Sequence, residues 1–269
     1  MKDLFRLDNE IAVVIGGAGV LGTAIAGGLA NAGARVAIVD RNAEKGHASA
    51  AGIREEGGKA MFVPADALSI ASLRSARDAI RKEFGAATIL LNAAGGNDPK
   101  VTVAGDIKFE DIAIEDWRRN FDLNLVGGAL FPCQVFGADM AKRGKGSIIN
   151  IASVSAHIPL SRVVSYSASK AAIVNLTQFL AREWAPRKVR VNSITPGFFP
   201  AEQNRKLLFN DDGSPTERTK SILAHTPMGR FGEPSELVGA VVYLASEKAS
   251  SFVTGADIRV DGGFLCQTI

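Results

Sequence analysis

A doubly wound α/β sheet, seven parallel strands covered by helices on both faces, is the fold class this sequence predicts. Three observations carry the prediction. Short apolar, β-branched runs alternate with longer amphipathic stretches along the 269 residues. The runs are apolar almost throughout, as strands buried on both faces must be, rather than apolar at every second position. No Pro/Ser-rich linker and no internal repeat interrupts the alternation, so a single domain over 1–269 is expected.

In chain order, the strand runs are IAVVI (11–15), RVAIVD (35–40), AMFVPAD (60–66), ATILLNAAG (87–95), GSIINIAS (146–153), VRVNSITPG (189–197) and ADIRVDGG (256–263). The helical patterns between them cover 20–31, 43–56, 70–84, 117–141, 168–184 and 234–246. Two connections, Gly96 to Asp116 and Phe198 to Glu233, are longer than such units require. Both follow the C-terminal end of a strand, the edge at which open α/β sheets bind ligands, and are read as substrate loops (about 96–116 and 198–233).

The apolar fraction of 46% suits a substantial core, and a dispersed net charge of +3 does not support nucleic-acid binding. Cys133 and Cys266 form no C-x-x-C pair and have no metal-ligand spacing to the three histidines. They are read as two buried thiols of a reducing compartment, with no metal site. Residues 11–34 carry no charge and could span a bilayer by length, but seven glycines and a GGAG turn interrupt them. The start, MKDLFRLDNE, lacks the apolar core of a signal peptide. No membrane segment and a cytoplasmic location are expected.

After the first run comes GGAGVLG (16–22), containing Gly16, Gly17, Gly19, Val20, Leu21 and Gly22. From Gly17 it spells G-x-G-x-x-G, a turn whose glycines allow close backbone approach to a pyrophosphate at a helix N-terminus. Asp40 ends the second run, eighteen residues beyond Gly22, near the place where a ribose-binding acid is expected. A carboxylate there accepts from a 2′-hydroxyl and repels a 2′-phosphate. NAD is therefore favoured over NADP, with the neighbouring Arg41 as the contrary signal.

Tyr166 and Lys170 in YSASK stand four residues apart, on one face of a helix. Free tyrosine titrates near pH 10, too high for efficient proton exchange at neutrality, so Lys170 is expected to lower the pKa of Tyr166. Ser153 ends the preceding strand run, NAAG ends the fourth, and Asn124 lies in the long helix that follows.

Taken together, these motifs resemble the short-chain dehydrogenase/reductase family over nearly the whole chain. The matching positions are the Gly-rich turn, Asp66 after the third strand, Asn92-Ala93-Ala94-Gly95, Asn124, Ser153, Tyr166, Lys170, Pro196-Gly197 and the closing VDGG at 260–263. The segment 202–234, with 94–100, resembles the D-mannonate oxidoreductase (fructuronate reductase) branch. The resemblance implies a Rossmann fold and a catalytic set of Asn124, Ser153, Tyr166 and Lys170. It also implies a cofactor site that includes Asp66, Ala67, Asn92, Ala93, Ala94, Tyr166, Lys170, Pro196, Gly197 and Phe199. Lys170 would hold the nicotinamide ribose, Ser153 the substrate oxygen, and Asn124 a water-mediated proton relay. Pairing of the long helices into a homotetramer is implied as well.

Three positions depart from the family pattern. Ile15 replaces a hydroxyl that braces the turn, Val20 replaces a glycine, and Ala201 stands where relatives often carry a cofactor-contacting Thr. Val20 requires a negative φ, and closure over the cofactor must rely on backbone groups at Ala201.

The expected activity is NAD-dependent interconversion of a secondary hydroxyl and a ketone on a small-molecule substrate, a sugar acid. The alternatives are reduction of another ketone, such as a 3-oxoacyl or polyol substrate, and a non-catalytic cofactor sensor. A sugar acid needs a cation and many hydrogen-bonding groups. The loops offer Asn97 and Lys100, then Gln203, Asn204 and Arg205, with His157 four residues after Ser153. Arg205 is the preferred carboxylate partner, because a guanidinium can pair with both oxygens.

Overall fold

Every apolar run becomes a strand, and from the third onward the strands stop short of the C-terminal ends of the runs, for a reason that locates the site. A computed structural model describes residues 3–201 and 205–268, with Lys206 by its backbone alone. Gln203 and Asn204 lie outside the described residues. The strands are β1 (Ile11–Ile15), β2 (Arg35–Asp40), β3 (Lys59–Pro64), β4 (Ile89–Asn92), β5 (Gly146–Ile151), β6 (Val189–Pro196) and β7 (Asp257–Val260). They form one parallel sheet in the order β3-β2-β1-β4-β5-β6-β7. The tails Ala65–Asp66, Ala93–Gly95 and Ala152–Ser153, read as strand, instead leave the ladder at the C-terminal edge. Strand order reverses between β1 and β4, which opens a crevice at that edge.

Helices α1 (Val20–Asn31), α2 (Ala43–Glu55), α3 (Ile70–Glu83) and α6 (Val164–Trp184) fall where the amphipathic patterns lie. Side chains of β1 alternate between two cores. Ala12 and Val14 pack with Ile25, Leu29 and Val241 on one face, while Val13 and Ile15 pack with Leu73, Phe136 and Leu180 on the other.

The long central helix starts three residues earlier than the pattern suggested. It begins as α4 (Ile114–Phe121), widens into π-type turns over Asp122–Leu130 and Cys133–Gly137, and closes as α5 (Ala138–Arg143). Pro132 supplies no amide to the ladder, and the Asn124 side chain inserts into it by donating to the Asn120 carbonyl (2.8 Å).

The long connections carry short elements of their own. A 3₁₀ turn at Pro99–Val101 lies in the first. The second folds as α7 (Arg205–Leu208) and α8 (Glu217–His225), joined through a Phe209–Pro215 bridge. The chain then enters α9 (Val238–Ala245) and α10 (Glu247–Ser250).

One expectation fails among the cysteines. Cys133 is buried, and burial pushes its thiol up to about 12, but Cys266 is exposed. Phe264 anchors the C-terminal turn in the core and leaves Cys266 pointing outward. Among the described residues no helix is long and apolar enough to cross a membrane.

Candidate active site

The crevice is a cleft of about 510 Å³ running over the edge of the sheet. At one end Asp66, Ala67 and Leu68 follow β3; Asp40, Arg41 and Asn42 follow β2; and Gly16, Gly19, Val20, Leu21 and Gly22 form its floor. Ala93 to Gly96 continue from β4 to Tyr166 and Lys170 at the far end.

The Gly-rich turn is built by backbone contact. Gly16 has φ +76°, and a Cβ there would lie 2.6 Å from the Ala94 backbone. A Cβ on Gly22 would lie 2.3 Å from the Gly16 carbonyl oxygen. These positions cannot carry a side chain, and the turn they make presents the first amides of α1 to the cleft. Val20 begins the helix and is not among the positive-φ residues, so the substitution for glycine is accommodated.

The hydroxyl missing at Ile15, which is buried in the core, is replaced from elsewhere. Thr23 Oγ1 donates to the Gly17 carbonyl (3.2 Å), and Asp40 Oδ2 accepts from Ala18 N–H (3.2 Å). Thr23 went unnoticed in the sequence because its partner is a carbonyl, which leaves no residue-type signature.

Asp40 also accepts from Asn42 N–H through Oδ1 (3.0 Å), so both oxygens are fixed at the cleft with lone pairs remaining. Lys45 lines the same wall. The length of the cleft, its side-chain-free floor and the fixed acid beyond that floor together fit a dinucleotide.

The far end carries the proton-handling groups. Ser153 is buried, and its Oγ accepts from Ser155 N–H (3.2 Å) and Ser155 Oγ (3.1 Å). With both acceptor positions filled, its own proton is left to donate, and it bonds the Tyr166 oxygen. Ser155 was absent from the sequence reading; a serine two residues from the strand-end serine was the available signal.

Lys170 is 4% exposed, donates to the Ile151 carbonyl (2.7 Å) and stands 5.5 Å from the Tyr166 ring centre. The expected lowering of Tyr166 by Lys170 is not what the site shows. Burial raises the Tyr166 phenol above its ordinary value, partly opposed by the Ser153 hydrogen bond. Burial also brings Lys170 down to about 8. Each charged form loses hydration, and the ammonium is aimed at a carbonyl rather than at the phenol oxygen.

Two asparagines are buried away from the cleft wall. Asn124 takes Gly96 N–H on Oδ1 (2.9 Å), and its Nδ2 donates to the Gly96 carbonyl (2.8 Å). One amide hydrogen thus fixes the loop after β4, next to Gly95, whose φ is +145°, and the other goes to the Asn120 carbonyl. Asn92 donates to Asn150 Oδ1 (2.8 Å), and Asn150 in turn donates to Thr177. Its side chain ties β4 to β5 and α6 beneath the cleft.

Pro196, Gly197 and Phe199 do not line this cleft. Gly197 donates to the Val260 carbonyl (2.9 Å), and a Cβ there would lie 2.7 Å from Asp261 Cα. Phe199 is buried in the wall of a second cavity of about 370 Å³, lined by Phe231, Met228 and Val260 together with Arg230, Glu236, Arg259 and Asp261. Gly17 packs instead against Val14 and Ile38, whereas Ala201 does border the main cleft.

The substrate candidates scatter. Asn97 donates to Thr102 (2.6 Å), and Lys100 stands 4.0 Å from Asp116 at the surface. Arg205 is exposed and lies over the Phe209 ring at 5.8 Å, bordering neither cavity. His157 Nε2 contacts Thr195 Oγ1 and Asp257 Oδ2, both at 3.1 Å, which turns the ring toward β6 and β7 rather than the cleft.

Comparison with known proteins is consistent with this geometry. Residues 16–265 match a family model described as Enoyl-(Acyl carrier protein) reductase. An uncharacterized oxidoreductase UxuB of Bacillus subtilis is 43% identical, over 97% of this chain and 96% of its own. A Haemophilus influenzae structure with bound NAD, provisionally described as a D-mannonate oxidoreductase, superposes with TM-score 0.92 at 40% identity. That match covers 98% of this chain and 97% of the other. A gluconate 5-dehydrogenase from Burkholderia cenocepacia, in complex with NADP and tartrate, superposes with TM-score 0.88 at 34% identity, covering 99% of both chains. The chain belongs to the short-chain dehydrogenase/reductase family, as an oxidoreductase acting on alcohol groups.

Proposed function

We propose that this protein interconverts a secondary hydroxyl and a ketone on a sugar acid of the D-mannonate/D-fructuronate type, with NAD as its preferred cofactor. The observation that carries the reaction type is the convergence of Ser153, Tyr166 and Lys170 at one end of a dinucleotide-sized cleft. The names borne by the Haemophilus and Burkholderia structures support the substrate class.

Bound NAD supplies the hydride acceptor, and NADH the donor. Asp40 would hold the adenosine ribose, the amides of Val20 to Gly22 the pyrophosphate, and Lys170 the nicotinamide ribose. Tyr166 moves the proton: its hydroxyl protonates the ketone oxygen in reduction, and its phenolate takes the alcohol proton in oxidation. Ser153 donates to the oxygen on which negative charge develops. Asn124 keeps the loop at Gly96 in place beside them, with its side-chain hydrogens already engaged.

A panel assay following NADH absorbance with D-mannonate, D-fructuronate, D-gluconate and neutral polyols tests the reading. Turnover of at least one sugar acid is expected. Turnover confined to 3-oxoacyl substrates would refute it.

Asp40→Ala is expected to lower the ratio of kcat/KM for NAD to that for NADP by roughly tenfold or more, since a carboxylate no longer faces the 2′-phosphate. Measuring that ratio in both proteins checks it, and an unmodified enzyme that already prefers NADP would assign the reading of the phosphate to Arg41 or Lys45. Ser155→Ala releases one hydrogen bond into Ser153, so kcat is expected to fall about tenfold with little change in NADH affinity. An unchanged kcat would remove Ser155 from the site.

The homotetramer remains part of this proposal. Ile114 on α4 and Phe179 on α6 are 52% and 55% exposed, apolar surface of the kind that subunit contact covers. Light scattering on the purified protein reads the assembly directly.

A further inference from the structure

Two arginines meet where the second long connection, the lid over the site, comes down on the loop before Tyr166, and among the described residues no acid neutralises them. Arg218, on the lid helix α8, is partly buried, and its Nη1 lies 3.5 Å from Ser161 Oγ. Arg162 is the next residue along that loop, and its charge is near enough to Arg218 for the two to repel. Among the described residues, neither guanidinium lies within ion-pair distance of an Asp or Glu. Three other arginines do have an acid partner: Arg81 pairs with Asp139, Arg190 with Glu247 and Arg230 with Glu236.

The loop is also held in an uncommon shape. Arg162 has φ +76°, a left-handed conformation that costs a non-glycine residue energy. Val103 N–H fixes it by donating to the Arg162 carbonyl (2.9 Å), which brings the first long loop to the same place. Three segments therefore converge here: residues 99–103, residues 158–163 and α8. Arg162 is four residues before Tyr166, so the chain places it at most ~14 Å away.

We propose that Arg162 and Arg218 form the anion subsite of the substrate, receiving the carboxylate of a sugar acid whose hydroxyl-bearing carbon lies against Tyr166. The proposal rests on the sugar-acid reading above. Two guanidiniums offer fork-shaped donors to the two oxygens of a carboxylate, and an anion between them removes their mutual repulsion. Burial and the charge of Arg162 both lower the Arg218 pKa, which is the signature of a cation lacking its counter-charge. Arg162 belongs to the frame and Arg218 to the lid, so a bound carboxylate ties the lid down over the reacting carbon. Like Arg205, the pair borders neither cavity, but it stands on the loop that leads into Tyr166 whereas Arg205 packs on Phe209, so the role the sequence suggested for Arg205 passes to this pair.

The test uses the NAD-saturated enzyme with three variants, Arg162→Gln, Arg218→Gln and Arg205→Gln. Tartrate is titrated as a carboxylate probe, and kinetics are run with the sugar acid the wild type prefers. Arg162→Gln and Arg218→Gln are each expected to raise the tartrate Kd and the KM of the acid by roughly tenfold or more, with NAD affinity retained as the check on folding. Unchanged constants in both variants, or a loss carried by Arg205→Gln instead, overturn the assignment. D-Sorbitol 6-phosphate forms a parallel arm, and dependence of that substrate alone on the pair would make the anion a phosphate and likewise overturn it. If the wild type turns over neutral polyols but no sugar acid, the sugar-acid reading has failed and the subsite falls with it. If it turns over the acid and the variants do too, only the subsite has failed.

Discussion

Tyr166→Phe is expected to lower kcat by roughly 10²–10⁴-fold while NADH still binds. The substitution keeps the ring, and hence the packing against Lys170, and removes only the oxygen that exchanges a proton. Ser153 then donates to a position with no acceptor, so the hydrogen-bond chain from Ser155 ends at nothing.

The pH profile of the unmodified enzyme has a direction that follows from burial. Oxidation needs the phenolate, and a phenol raised above its usual value of 10 leaves the oxidation rate climbing through the alkaline range. Reduction needs the protonated phenol and is therefore expected to be flat until that range is reached. An oxidation rate that levels off near neutrality would show the phenol to be lowered, against the burial argument. Retained turnover in Tyr166→Phe, with NADH binding intact by fluorescence, would remove Tyr166 from the role altogether.

What the sequence disclosed follows the kind of interaction involved. The strands were legible because burial on both faces demands apolar residues at every position, as in Val13, Val14 and Ile15. The Gly-rich turn was legible because Gly16 and Gly22 exclude any side chain, which leaves a mark in residue type. Tyr166 and Lys170 were legible because helical spacing alone brings them together.

Contacts between distant segments were hidden when either partner could be many residue types. Asn92 looks like a cleft residue by position, yet it bonds Asn150 on the neighbouring strand. His157 follows Ser153 closely, yet Asp257, a hundred residues on, turns it away. Phe199 was placed beside the cofactor by its neighbours in sequence, while its ring lies in the wall of the second cavity beside β7. The Tyr166 pKa was misjudged because charge proximity is visible in a motif and desolvation is not.

Lys170→Met is expected to abolish turnover to the same degree and, at neutral pH, to stabilise the fold. A lysine whose pKa falls from 10.5 to about 8 on folding is held back by the loss of hydration of its ammonium. Below about pH 8 both folded and unfolded chains carry the proton, and the folded state bears the full cost, on the order of 3 kcal/mol. Between about 8 and 10.5 the unfolded chain binds the proton that the folded one has released, so stability rises with pH through that window. Methionine fills similar space without a charge and should erase that rise. Part of the gain is offset because the Ile151 carbonyl loses the hydrogen bond Lys170 gave it. Tyr166 acts in the opposite sense and only above pH 10, so it does not mimic the effect.

Thermal midpoints of both proteins at neutral pH and near pH 10 are the measurement. The wild-type midpoint should rise between the two pH values more than that of the variant. A variant that is less stable at neutral pH and keeps the full pH dependence would show that Lys170 is not the buried cation described here. The expected outcome is a residue retained at a cost to the fold, because the ammonium beside Tyr166 serves the reaction rather than the packing.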